Sequence, residues 1–435
     1  MFIEFQVGNF RSFRDIQKFS MQAAPLRTND SGDEEGNVFT SYDFRLLKSK
    51  AIYGSNASGK SNLVDAFFAF GFMVTNSVIT ENLPKRIWKD SFKLITDWDT
   101  QPMFFQYIFL SEGLVYRYGF QILKNKIIYE WLFEGEKENE KEYFMRSPKG
   151  YDIDKENFKG AGEYIKLAND GQNELFRNDA LFLTSAALNG NVIATKLRNT
   201  IKEICLIDEK NDSMEPREFG LQILAQGTEY QKKALTNFLN SADTGIENLE
   251  LIEIDDINSG NEKNEKHKIK PVSLFSSHSR YDESGRVVDK ISVPFGIWES
   301  QGTAKLFGVA AVMLDSLTKG IPLMIDEFDA KLHPNLTLKI VELFNSKETN
   351  PHNAQLIFVT HDTGLLRRAE LRRDQICIVN KDKYGISTLS TLIEFKGVRK
   401  DASYEKEYLN GNYEGVPYLS ELDSVVMQNN EDYGL

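Results

Sequence analysis

Residues 2–7 alternate apolar and polar side chains with a period of two, the pattern of a half-buried strand, and residues 16–21 can return as its partner. The polar and aromatic stretch Asn9–Arg14 between them reads as a turn. Residues 25–45 are rich in Asp, Glu, Gly, Asn and Ser and predict a mobile surface loop. A short apolar strand at 51–53 runs into a glycine-bearing loop over 54–61, and an apolar helix follows from about Asn62 to Val74. From Phe104 to about Phe144, aromatic and β-branched residues alternate in short runs, which suits an antiparallel meander. Its charged connector, Glu134 to Glu142, reads as a solvated hairpin tip.

Farther along, residues 181–245 turn helical, and the polar insertion 255–270 reads as a second hairpin tip. After Pro294 the chain predicts a helix over 303–318, a strand over 321–326, a helix over 334–345 and a strand over 355–360. Such βα alternation implies a parallel sheet covered by helices. No a/d heptads are sustained between 181 and 250, so the long middle predicts a compact helical insertion and no coiled-coil arm. The expected fold class is therefore α/β: an antiparallel N-terminal sheet and a mixed or parallel core sheet flanked by helices. The expected division is an N-terminal lobe over 1–180, the insertion over 181–250 and a C-terminal lobe over 251–435.

Composition narrows the function classes. A chain of 435 residues with 41% apolar and 27% charged side chains can bury a sizeable core. Its net charge of −12 speaks against a generally basic, nucleic-acid-coating protein, although local basic clusters exist at Arg367, Arg368, Arg372 and Arg373 and over 263–270. Two cysteines, Cys205 and Cys377, make no disulfide framework, and no His or Cys spacing suggests zinc. The longest apolar stretches, around 66–74 and 306–314, fall short of the roughly eighteen residues a bilayer requires. A reducing, cytoplasmic setting with no membrane partner is expected.

The chemistry is concentrated in four segments. Gly54-Ser55-Asn56-Ala57-Ser58-Gly59-Lys60-Ser61 fits G-x-x-x-x-G-K-[ST], whose glycines let backbone amides turn toward a polyphosphate. Lys60 would meet the β- and γ-phosphates, and the Ser61 hydroxyl would bind Mg²⁺. The following helix N-terminus, with Asn62, would add its partial positive charge. Pro322–Glu327 is an apolar strand ending in two acids: Asp326 would hold Mg²⁺ through water, and Glu327 would orient or deprotonate the attacking water. His361 closes a second apolar strand, where it could reach the γ-phosphate or that water. Ser300 and Gly302, in Trp298-Glu299-Ser300-Gln301-Gly302-Thr303, place a hydroxyl and amides at a helix start, either an anion site or an ordinary cap.

This order of segments resembles ABC-type ATPase heads of the SMC/RecF kind. It is most similar to the stand-alone AAA-labelled ATPases of abortive-infection and other anti-phage operons (the RloA/AbiLi-like group). The likeness lies in Asn9–Phe13, Ala51–Leu63, Glu299–Leu306, Leu323–Pro334, Gln355–Leu366 and the C-terminal stretch Val398–Pro417. It implies ATP and Mg²⁺ as ligands, held by Gly54, Asn56, Ser58, Gly59, Lys60, Ser61 and Asn62. It further implies a homodimer in which Ser300 and Gly302 bind the γ-phosphate held by Lys60 of a second copy. Arg11 corresponds to a basic residue that approaches the nucleotide, and Asp329 to one that links the two sites. Gln106, or alternatively Gln101, corresponds to the glutamine that senses metal and water. The signature departs from Leu-Ser-Gly-Gly-Gln in having Glu299 before the serine and Gln301 after it. About forty residues follow the last predicted strand, fewer than the nuclease domain of OLD-type relatives, so a separate nuclease or toxin is the expected effector. A RecF-like DNA clamp and a nucleotide-gated scaffold with negligible turnover are the alternatives.

Overall fold

The computed structural model describes residues 1–25, 34–135, 139–160, 163, 164, 166, 177–207, 216–253, 272–395 and 403–417. The chain forms two compact units, one of residues 1–203 with 357–435 and one of residues 204–356.

In the first unit the period-two segments form ten strands: β1 (Phe2–Gly8), β2 (Gln17–Ser20), β3 (Val38–Ser41), β4 (Phe44–Leu47), β5 (Ser49–Tyr53), β6 (Met103–Ser111), β7 (Leu114–Leu123), β8 (Lys126–Glu134), β9 (Lys141–Ser147) and β10 (Gly150–Ile153). The predicted meander is a seven-stranded antiparallel sheet in the order β10-β9-β8-β7-β6-β1-β2. One face packs on the Lys60–Asn76 helix, whose apolar positions recur at Leu63, Phe67, Phe70 and Val74. Phe67 stacks on Phe5 at 4.0 Å and Phe70 on Phe120 at 5.5 Å, so aromatic rings fill the layer between sheet and helix. In a second sheet Leu356–Val359, β5, Ile376–Lys381 and Ser387–Thr391 lie side by side in that order. β5 runs parallel to Ile376–Lys381. The loop expected over 25–45 is in part a hairpin of β3 and β4, because Phe39 and Leu46 join an apolar cluster with Ile3 and Leu110. Residues 26–33 of that stretch, the tip 136–138, the insertion 255–270 with its basic cluster, and 398–402 lie outside the described residues.

A buried acid joins the large sheet to the next helix. Glu130, wholly buried on β8, accepts hydrogen bonds from the Tyr118 hydroxyl (2.9 Å) and from the amides of Phe182 (2.7 Å) and Leu183 (2.9 Å) at the start of the Phe182–Leu188 helix. Arg146 stands 3.8 Å away, and burial raises the Glu130 pKa. Glu130→Ala leaves the hydroxyl and two amides without their acceptor and removes the carboxylate beside Arg146. An equilibrium urea transition is expected to fall by about 3–5 kcal/mol, and a loss below about 1 kcal/mol would refute the assignment.

Helices occupy the predicted 181–250 segment, but the boundary at residue 203 divides it. Phe182–Leu188 and Val192–Lys202 pack on the Lys60–Asn76 helix, with the Thr184 hydroxyl bonding the Val74 carbonyl at 2.7 Å. Pro216–Gln226 and Glu229–Ser241 belong to the second unit, where Ile223, Leu235 and Leu239 share a core with Leu306, Phe307 and Ala310 of the Gln301–Lys319 helix. That unit also holds a parallel strand pair, Cys205–Ile207 with Leu323–Ile325, and an antiparallel sheet of Asn248–Glu253, Val272–Tyr281 and Val287–Pro294. No helix among the described residues is long and apolar enough to cross a membrane.

Candidate functional site: a phosphate loop and an acid turn

β5 is buried throughout and delivers the chain to Gly54. The loop closes at Gly59, whose φ of 113° is left-handed, and a methyl there would fall 2.5 Å from the Ser387 hydroxyl and 2.7 Å from the Ser12 hydroxyl. Both features require glycine. Lys60 turns its buried ammonium back into the loop, donating to the carbonyls of Gly54 (2.8 Å) and Ser55 (2.9 Å). The Ser58 hydroxyl is buried without a hydrogen-bond partner, while Asn56 stands exposed at the tip. A buried cation, an orphaned hydroxyl and a helix N-terminus together fit a polyphosphate with its metal.

The loop is held by residues that local sequence did not flag. Ser387 donates its hydroxyl to the Ser58 carbonyl (2.5 Å) and its amide to the Ser12 carbonyl (2.7 Å). Ser12 also receives the Asn62 amide at 2.6 Å, so Asn62 braces the loop through its side chain. Arg11 lies in the same turn with φ 47° and pairs with Asp65, one helical turn beyond Ser61, and with Asp90 at 3.4 Å. His361 follows the Leu356–Val359 strand beside β5: Thr360 donates to the Ile52 carbonyl, and Tyr53 donates to the Asp362 carbonyl at 3.0 Å. The exposed His361 is thereby placed at the same strand ends as the loop.

Gln106 is not brought there. Phe105 and Tyr107 face the aromatic layer, so the alternation of β6 turns Gln106 to the opposite face of the sheet. There its carbonyl oxygen accepts from Trp131 (3.1 Å) and Arg117 (3.2 Å). The alternative, Gln101, has its carbonyl bonded by Asn9 of the turn that carries Arg11 and Ser12.

In the second unit the Leu323–Ile325 strand ends on Asp326, which is 4% exposed and accepts from the Glu327 amide at 3.0 Å. Glu327 is exposed with φ 49°, and the fully buried Phe328 anchors the turn behind it. The Gln301–Lys319 helix lies against this turn. Lys305 donates to the Glu327 carbonyl at 2.6 Å, and a methyl on Gly302 would fall 2.7 Å from the Lys331 carbonyl. Ser300 caps the helix by accepting from the Thr303 amide at 3.1 Å. Asp329 lies in the same turn, its carbonyl accepting from the Leu332 amide. Glu299 anchors the segment before the cap by accepting from Ser276 (2.6 Å) and meeting His278 (2.8 Å). The unusual acid before the serine thus has a structural partner set.

A family profile described as "AAA domain, putative AbiEii toxin, Type IV TA system" matches residues 51–367, most of the chain. The chain belongs to this AAA family. It is therefore an AAA-type nucleotide-binding ATPase related to abortive-infection systems, and the matched span runs from the phosphate loop past His361. No curated protein matches the chain. Among solved structures it is similar to the SMC head domain from Thermotoga maritima, at 12% identity and a TM-score of 0.40, over 90% of this chain and 98% of that one.

Three arginines of the 367–373 cluster of this AAA ATPase pair with its own acids. Arg372 is buried against Asp374 (2.8 Å), Arg368 lies 3.4 Å from Asp362, and Arg367 lies 3.4 Å from Glu405. Such pairing offsets part of the cluster's charge toward a phosphate backbone.

Proposed function

We propose that the protein binds Mg²⁺·ATP at Gly54–Ser61 and hydrolyses it in a head-to-tail homodimer, as the ATPase subunit of an anti-phage defence complex whose effector is a separate protein. The observation that carries the reading is the Lys60 ammonium turned inward under the carbonyls of a strand–loop–helix. In this reading Lys60 and the loop amides grip the phosphates, and Arg11 flanks them. Ser61 and Asp326 supply the hard oxygen donors that Mg²⁺ takes, and the bound metal neutralises phosphate charge. Glu327 accepts a proton from the attacking water, and His361 orients it. Ser300 and Gly302 close the site from the second copy. Asp329 is a candidate for communication between the two sites. A DNA clamp is less well supported, because three of the arginines it would use pair with acids of the same chain.

A mixing experiment tests the shared site. Lys60→Ala and Ser300→Arg are each expected to be inactive alone. In a two-fold dimer, an equimolar mixture regains one intact site in every mixed pair, about a quarter of wild-type turnover. No recovery on mixing, with both variants folded, would refute the composite site.

A further inference from the structure

The C-terminal stretch 403–417 has no role in the reading above, yet it folds against the phosphate loop. Tyr404–Leu409 is a short helix whose Tyr408 is buried, 6% exposed, with its ring 5.7 Å from that of Tyr53, the residue before Gly54. The Tyr408 hydroxyl donates to the Gly415 carbonyl at 3.0 Å. Gly415 itself, with φ 68°, packs so closely that a methyl on it would stand 3.4 Å from the Gly54 Cα and 2.7 Å from Ile378 Cγ2. The Asn380 amide holds the same turn through Glu414 at 2.7 Å. The Tyr408–Gly415 bond holds the turn against the Gly54 Cα, and the Gly54 carbonyl in turn receives the Lys60 ammonium.

We propose that the turn 403–417 is part of the nucleotide site, with Tyr408 as a positioning residue that fixes Gly54 and, through it, the phosphate-gripping Lys60. The proposal rests on nucleotide binding at Gly54–Ser61. Its chemistry is simple: a peptide unit free to rotate about Gly54 would turn its carbonyl away from the ammonium, and the lysine would lose its aim at the phosphates. The Tyr408 hydroxyl ties Gly415 down against the Gly54 Cα, and that close packing restricts the rotation.

Tyr408→Phe removes the hydroxyl and keeps the ring against Tyr53. Measured at a temperature where both proteins are fully folded, the Kd for Mg²⁺·ATP is expected to rise about tenfold, the equivalent of one well-placed hydrogen bond. KM should rise with it while kcat stays within about twofold. A purely structural role would lower the melting midpoint and leave the Kd of the folded protein unchanged, so an unchanged Kd overturns the proposal. If Tyr408→Phe does not fold, the exposed Glu414→Ala serves instead: releasing Asn380 is expected to raise the Kd about two- to threefold, and no change would be equally fatal. Wild-type protein that bound no Mg²⁺·ATP would sink the nucleotide site itself and not this refinement of it.

Discussion

Lys60→Ala is expected to weaken Mg²⁺·ATP binding by at least about a hundredfold, since it deletes a charge-assisted grip on two phosphates. The loss has a second component in this protein. The carbonyls of Gly54 and Ser55 both take hydrogen bonds from that ammonium, and without it both lose that donor within a loop already crowded by Ser387 and Ser12. The loop therefore loses both its ligand charge and an internal brace. A fluorescent-nucleotide titration measures the affinity. Melting curves give an independent check, because saturating Mg²⁺·ATP should raise the wild-type midpoint and leave the variant's unmoved. Binding within threefold of wild type would remove the phosphate loop from the mechanism.

Glu327→Gln is expected to cut turnover by a factor of about 10²–10⁴, the range a positioned general base supplies, while nucleotide affinity is retained. The substitution is well isolated. The Glu327 side chain is exposed, and the turn is held by Phe328 and by Lys305 on the backbone carbonyl, so the amide changes the chemistry without loosening the fold. In the composite-site reading, slower hydrolysis prolongs the nucleotide-bound dimer. Light scattering behind size exclusion would show the variant as a persistent dimer in Mg²⁺·ATP, with wild type dissociating as ATP is consumed. Identical dimer lifetimes would separate hydrolysis from assembly and favour a nucleotide-gated scaffold.

The loop and the acid turn were legible in the sequence because each is local. Gly54–Ser61 and Pro322–Glu327 announce themselves within eight residues, and a strand or helix on either side completes the signal. The brace around the loop was not legible, since Ser12, Ser387, Tyr408 and Gly415 reach it from positions tens to hundreds of residues away. Gln106 shows the reverse case: its residue type suits the role, but the parity of β6 assigns it to the face opposite Phe105 and Tyr107. In the 25–45 stretch the polar composition hides Phe39, which joins Leu46, just beyond it, in an apolar cluster with Ile3 and Leu110. Glu299 looked like a defect in the signature until Ser276 and His278 supplied its partners.

β5 lies between Leu356–Val359 and Ile376–Lys381, which are made long after it along the chain. At roughly 5–20 residues per second, a ribosome needs on the order of half a minute after making Tyr53 before both neighbours exist. Throughout that interval the nascent chain carries an apolar strand with two bare edges, a natural client for chaperones. Translation stalled in between would leave the nucleotide loop without its flanking strands.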